Sequence, residues 1–136
     1  MTKQVLDVQQ MQHLQELGLE LKETTLIYAG GGGKYGLFLT KQIDKILWES
    51  TYPAYSLQDV LDALPKYYHI ANIGWRTKLS IRVHTTKEWE IGYVYTDEPS
   101  KYAYRCRILG KELIDAAYEL LCWAIENKFL ETNKNE

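Results

Sequence analysis

With 136 residues, 46% hydrophobic and 25% charged, the chain has the length and composition of one soluble globular domain; disorder would need lower hydrophobicity and a larger net charge than −2. The first twelve residues, MTKQVLDVQQMQ, hold no apolar segment of a secretory signal, and no run is long enough to span a bilayer, so the expected location is the cytoplasm. Two isolated cysteines, Cys106 and Cys122, are too few for a disulfide framework or a zinc site and read as reduced thiols.

The first predicted helix begins at a capping box, with Asp7 as the cap and Gln10 reaching back to it. Met11, Leu14 and Leu17 give it a narrow apolar stripe. Gly18 stands where a left-handed residue ends a helix, which places Leu19 over Leu14. Two short apolar segments follow, TTLIYA and YGLFLT, on either side of a glycine run, AGGGGKYG. This pattern predicts a hairpin with a long, loose, mobile connection over residues 30–33. It does not fit a phosphate-binding loop. Counting back from Gly33-Lys34 puts Tyr28 where the first glycine belongs, and Tyr35 stands in place of the metal-binding hydroxyl. The segment GLFLTK reads as strand, so no helix N-terminus is offered to an anion, and no cofactor is expected.

Residues 41–50 (KQIDKILWES) fit either a short helix or a third strand. The next stretch is clearer. Ser56 caps with Asp59 three residues on, Leu57, Val60, Leu61 and Leu64 keep helical spacing, Tyr55 and Val60 form a hydrophobic staple, and Pro65 ends the helix.

From Lys78 the period is two. Leu79, Ile81 and Val83 form one apolar row, Trp89, Ile91, Tyr93 and Tyr95 a second, and Tyr102, Tyr104, Cys106 and Ile108 a third. Because opposed residues share a face, matching the rows predicts Ile81 opposite Ile91 and Ile91 opposite Cys106. That register sets Glu90 opposite both Arg82 and Arg107 on an exposed outer face. A last helix is predicted from about Lys111 to Asn127, with Leu113, Ile114, Ala117, Tyr118, Leu120, Leu121, Ala124 and Ile125 on its core side and Glu112, Asp115, Glu119 and Glu126 on the other. The predicted fold is α+β: antiparallel hairpins and a meander packed by a long C-terminal helix, with short N-terminal and middle helices. It forms one domain over residues 1–130, and residues 131–136 read as a disordered tail.

The residues do not assemble a chemistry. His13, His69 and His84 are scattered, no metal site is expected, and Cys106 lies on an inner strand row. Cys122 is the one candidate reactive thiol, but Asp115, Glu119 and Glu126 are expected to raise its pKa and suppress the thiolate. Carboxylates fall on solvated helix faces, so no catalytic residue and no enzymatic activity are expected. Residues 66–111 hold nine basic and four acidic side chains, and Arg82, Arg105 and Arg107, with Arg76, Lys78 and Lys101 nearby, form a basic strand face. That face carries the alternative of a nucleic-acid-associated protein. It is disfavoured, because Glu90 neutralises part of the row and the strand aromatics point inward. On the helix plot Trp123 lies about 20° from Glu112 and about 40° from Glu119, beside Ala116, opposite the core stripe. Trp123, Ala116 and Glu119 are therefore the candidate interface, covered either by the N-terminal helix, by the turn at Phe129-Leu130, or by a protein partner or second subunit.

The stretches YPAYSLQDVLDALPK, WEIGYVY and LIDAAYELLCWAIEN resemble small proteins encoded by phages and integrated elements of gut bacteria. The resemblance covers the C-terminal two-thirds of the chain, and its motifs are caps, core stripes and strand rows. It implies a shared fold and an accessory role in a mobile element. The function expected from the sequence is a non-enzymatic protein-interaction module.

Overall fold

The capping signals close into hydrogen bonds in the computed structural model, which describes residues 3–70, 75–83, 87–95 and 104–128. Asp7 and Gln10 form both halves of a capping box at the head of α1 (Val8–Glu16). At its other end Gly18 takes a φ of 99°. There the Leu19 amide reaches the Leu14 carbonyl and the Gly18 amide that of Gln15, the paired bonds of a Schellman ending. Ser56 and Asp59 make the second capping box, at the head of α2 (Leu57–Ala63), and Pro65 follows directly after its C-cap, Leu64.

The strands form two antiparallel sheets. β1 (Leu26–Gly31), β2 (Lys34–Leu39) and β3 (Ser50–Pro53) make the first, in the order β2-β1-β3. β4 (Tyr67–Ile70), β5 (Trp75–Val83), β6 (Trp89–Tyr95) and β7 (Tyr104–Gly110) make the second, as a meander in chain order. β3 and β4 carry no apolar alternation long enough to announce a strand, and Pro53 is tolerated because β3 is an edge. Residues 41–50 are neither helix nor strand for most of their length. Two 3-10 turns, Thr40–Gln42 and Lys45–Leu47, carry the chain into β3.

The hairpin between β1 and β2 is tighter than the glycine run predicts. Gly30 and Gly31 are strand residues, and the connection is Gly32-Gly33 alone, with φ of 61° and 83°. Positive φ at both central residues is the type I′ geometry whose twist matches that of the strands. Gly30 has a separate reason. A Cβ there would run into the Lys34 carbonyl and the Tyr35 Cα of β2, and the Tyr35 hydroxyl meets the Ser50 hydroxyl of β3 at 2.7 Å.

In the meander Ile81 faces Ile91 and Arg82 faces Glu90, as the apolar rows predict. The next pairing is shifted by two residues: Ile91 faces Ile108 and Tyr93 faces Cys106. A two-residue shift keeps every side chain on its face, so row matching alone does not distinguish the two registers. In the observed register a Cβ on Gly92 would meet the Cys106 carbonyl, so the backbones approach where one residue has no side chain.

α3 (Leu113–Glu126) packs on β6, β7 and α2 and has eight of its 14 residues buried. Leu6, Met11 and Leu14 from the N-terminal segment, Tyr55, Val60 and Leu64 from the middle, and Ile91 and Tyr93 from the sheet complete one core around it. Lys3 Nζ and Gln10 Nε2 both donate to Asp115 Oδ1, at 2.7 and 3.0 Å, so the N-terminal segment is fastened to the first turn of α3. The α+β class holds. The tail 131–136 and the turn at 129–130 lie outside the described residues.

Two expectations follow from this geometry. Gly33→Ala is expected to cost about 1–2 kcal/mol in urea denaturation, because a side chain is forced into the left-handed region; an unchanged midpoint would remove the I′ turn. Burial raises the Asp115 carboxyl, but the hydrogen bonds from Lys3 and Gln10 and the Lys3 charge outweigh it and hold its pKa below the ordinary 3.8. A depressed folded pKa stabilises above the unfolded value and is lost as pH falls through the folded one. Asp115→Asn is therefore expected to flatten the acid limb of the melting-temperature curve below about pH 4 while changing little of its shape at neutral pH.

Candidate interaction surface

The I′ turn decides what β2 presents to its surroundings. Its closing hydrogen bond pairs Gly31 with Lys34, and in an antiparallel ladder every second residue thereafter bonds inward. Lys34, Gly36 and Phe38 thus turn their amides and carbonyls to β1, and the Thr40 amide continues the series by reaching the Thr25 carbonyl at 2.9 Å. By the same alternation Tyr35, Leu37 and Leu39 turn theirs outward, along the rim of the sheet.

Side chains on both faces of this rim are apolar. Tyr35, Leu37 and Leu39 share a face with Tyr28 and Tyr52. Tyr35 packs edge-on against Tyr52 at 5.8 Å, whereas Leu37 and Leu39 remain 44% and 38% exposed. On the other face Phe38 lies 5.5 Å from Trp48, and Ile46 and Leu47 on the neighbouring 3-10 turn are 88% and 77% exposed. Together Leu37, Phe38, Leu39, Ile46, Leu47 and Trp48 leave on the order of 600 Å² of apolar surface in water, divided between the two faces of the sheet. From Tyr35 to Thr40 the strand carries no charge. Edge strands are normally blunted by lysines, prolines or bulges, and β2 has none of these over that span. A signal was present in the sequence. Leu37, Phe38 and Leu39 are consecutive, so a strand there must be apolar on both faces, and that calls for cover on both.

The residues singled out from the helix plot sit elsewhere. Ala116 is buried, packed where a Cβ on Gly110 would touch it, and Trp123 is half-buried with its ring 6.2 Å from that of Tyr93. The chain's own meander meets this side of α3 through Tyr93, while the turn at 129–130 lies outside the described residues. Glu119 is exposed beside them. A single helix plot misjudges α3 because a helix packed against a sheet and another helix buries more than one stripe.

Glu90 also departs from expectation. Its neighbours Ile91 and Tyr93 face the core, so it points to the opposite side of the sheet, yet it is 1% exposed. Arg82 Nε donates to its Oε2, and Arg107 Nη1 stands 3.7 Å from its Oε1, diagonally across the ladder rather than directly opposite. The arginine side chains are 46% and 47% exposed. The result is a buried carboxylate under two half-solvated guanidinium groups, not the exposed ladder predicted. Arg105 stands at the register shift of β7, where Tyr93 faces Cys106 and Val94 faces Tyr104; its side chain, with those of Arg76 and Lys101, lies outside the described residues.

Burial, rather than the neighbouring carboxylates, is the main cause that pushes the Cys122 thiol up to about 11; Glu126 and Glu119 add to it and a hydrogen bond with Tyr118 opposes it. The protonated thiol is a poor nucleophile at neutral pH. Cys106 is half-buried against the core. Asp59 and Asp62 line a cleft of about 400 Å³ with Glu20, Glu23 and Lys22, but they already accept hydrogen bonds from Ser56 and Gln58. Among the described residues no group of three or more His, Cys, Asp or Glu is placed to hold a metal ion, and no helix is long and apolar enough to cross a membrane. Comparisons with protein-family models, with curated proteins and with solved structures returned no match.

The Glu90 cluster predicts an asymmetry. In Glu90→Gln the arginines can turn further into water, so a loss below about 2 kcal/mol is expected. Replacing both Arg82 and Arg107 by Ala leaves a buried carboxylate short of cations, and a loss of about 3–5 kcal/mol is expected. Urea denaturation of the two variants checks the order; the reverse order would place Glu90 in water.

Proposed function

We propose that this chain is a non-enzymatic protein-binding module whose binding face is the rim of β2 with its apolar flanks. The observation that carries the reading is the coincidence of outward-turned backbone groups with apolar side chains on both sides of the same strand. A partner strand laid along β2 gains main-chain hydrogen bonds from the rim and burial from Leu37, Leu39, Ile46 and Leu47 at once. An accessory role in a mobile element, implied by the resemblance to phage and integrated-element proteins, suits a small module acting by binding. The nucleic-acid alternative has less support, since Arg82 and Arg107 are engaged with Glu90.

The test compares capture from a host extract by immobilised wild type and by an Ile46→Asp/Leu47→Asp variant, whose changes fall on exposed positions. Wild type is expected to retain a protein, another chain or its own, that the variant releases. Equal capture by both would remove β2 and its flanks as the binding face. Salt-sensitive binding of single-stranded DNA, lost in Arg107→Ala, would replace this reading with the nucleic-acid alternative.

A further inference from the structure

We infer that the strand laid along β2 is β2 of a second copy of this chain, related by a two-fold axis through Leu37; the inference rests on the reading of β2 as the binding face. Only residues with outward-turned backbone groups can bond a neighbouring strand, and on β2 these are Tyr35, Leu37 and Leu39. In an antiparallel pair they must meet residues of the same kind. Centring the pair on Leu37 sets Leu37 opposite the partner's Leu37, Tyr35 opposite the partner's Leu39 and Leu39 opposite the partner's Tyr35. All three positions then exchange both bonds, about six in total, and any other two-fold register of this strand uses fewer.

The side chains agree with this register. One face brings together Tyr35, Leu37 and Leu39 from each copy, with no charged group among them and the Tyr35 hydroxyl bonded to Ser50 of its own chain. On the other face each Phe38 ring lies over Gly36 of its own strand and packs on Trp48, so no side chain at Gly36 stands between the ring pairs that flank the join. Lys34 falls opposite the partner's Thr40, so no two like charges are directly opposed. The two apolar flanks of the rim together expose on the order of 600 Å², from which an edge-to-edge contact draws toward the roughly 800 Å² that each partner gives to a stable interface. A two-fold contact of this kind uses one surface on both copies and closes on itself. It joins the two three-stranded sheets into one and leaves β3, with Pro53, at each outer edge.

Sedimentation equilibrium of the full chain at micromolar concentration is expected to give twice the chain mass of 15.9 kDa. Hydrogen-bonded antiparallel partners stand about 5.5 Å apart at Cα, within disulfide reach. Leu37→Cys is therefore expected to form a covalent dimer under mild oxidation, while wild type and Gln58→Cys, on exposed α2, do not. Leu37→Lys is expected to sediment as a monomer with an unchanged far-ultraviolet circular dichroism spectrum. Should it fail to fold, the Leu37→Cys cross-link decides. A dimer that Leu37→Lys leaves intact, or that Leu37→Cys does not trap, overturns the inference. A monomeric wild type whose capture of another protein depends on Ile46 and Leu47 also overturns it, yet leaves β2 as the binding face. A monomer with no such capture removes both readings.

Discussion

Eight of the 14 residues of α3 are buried, and a helix with that pattern has almost no side it can show to water. Each fully buried Leu or Ile on it contributes roughly 1.5–3 kcal/mol, so the helix gains little until several different elements cover it. The remaining architecture supplies that cover from separate directions. β6 and β7 meet it through Tyr93 and Gly110, α2 packs alongside it, and α1 brings Met11 and Leu14 into the same core. Polar contacts then hold the covering elements in place: Tyr93 donates to the Pro65 carbonyl, Lys3 and Gln10 to Asp115, and Tyr28 to the Leu6 carbonyl. The first sheet is joined to this core through Tyr52 and Tyr55, not through its own inner residues; Ile27 and Ala29 are buried apart from the main cluster.

Features set by a few neighbouring residues were legible in the sequence. Both capping boxes, the Gly18 ending, the Pro65 stop and the Arg82–Glu90 pairing follow from short-range chemistry that tertiary packing did not override. What failed depended on information from farther away. The two-residue difference between β6 and β7 arises because apolar rows fix a face and leave even shifts open. β3 and β4 were missed because four-residue strands owe their existence to neighbours rather than to their own pattern. The glycine run reads as slack in the sequence, although Gly32 and Gly33 are demanded by turn handedness and Gly30 by the close approach of the β2 backbone.

The candidate surfaces show the same division. Trp123 drew attention because it broke the helical stripe, but a plot of one helix does not know that a sheet lies on the other side. The β2 rim was recognisable in principle, since three consecutive large apolar residues on a strand need cover on both faces. What the sequence could not supply was the parity of the ladder. Until the turn is known to contain only two residues, nothing says which amides point outward.

Lys3 and Asp115 are 112 residues apart, and the core that joins their segments draws on α1, α2 and the meander between them. Such contacts are costly to find, because the loop must close before any burial is gained, and chains rich in them fold slowly. During synthesis the hairpin, α1, α2 and the meander are all made before α3. Until it emerges, the inner face of the meander and the apolar sides of α1 and α2 have nothing to bury against. The nascent protein therefore passes through a stage with both sheets' worth of strand-forming sequence and an open core, the kind of species that recruits chaperones or aggregates. Arrival of α3 ends that stage and makes local pieces into one cooperative unit.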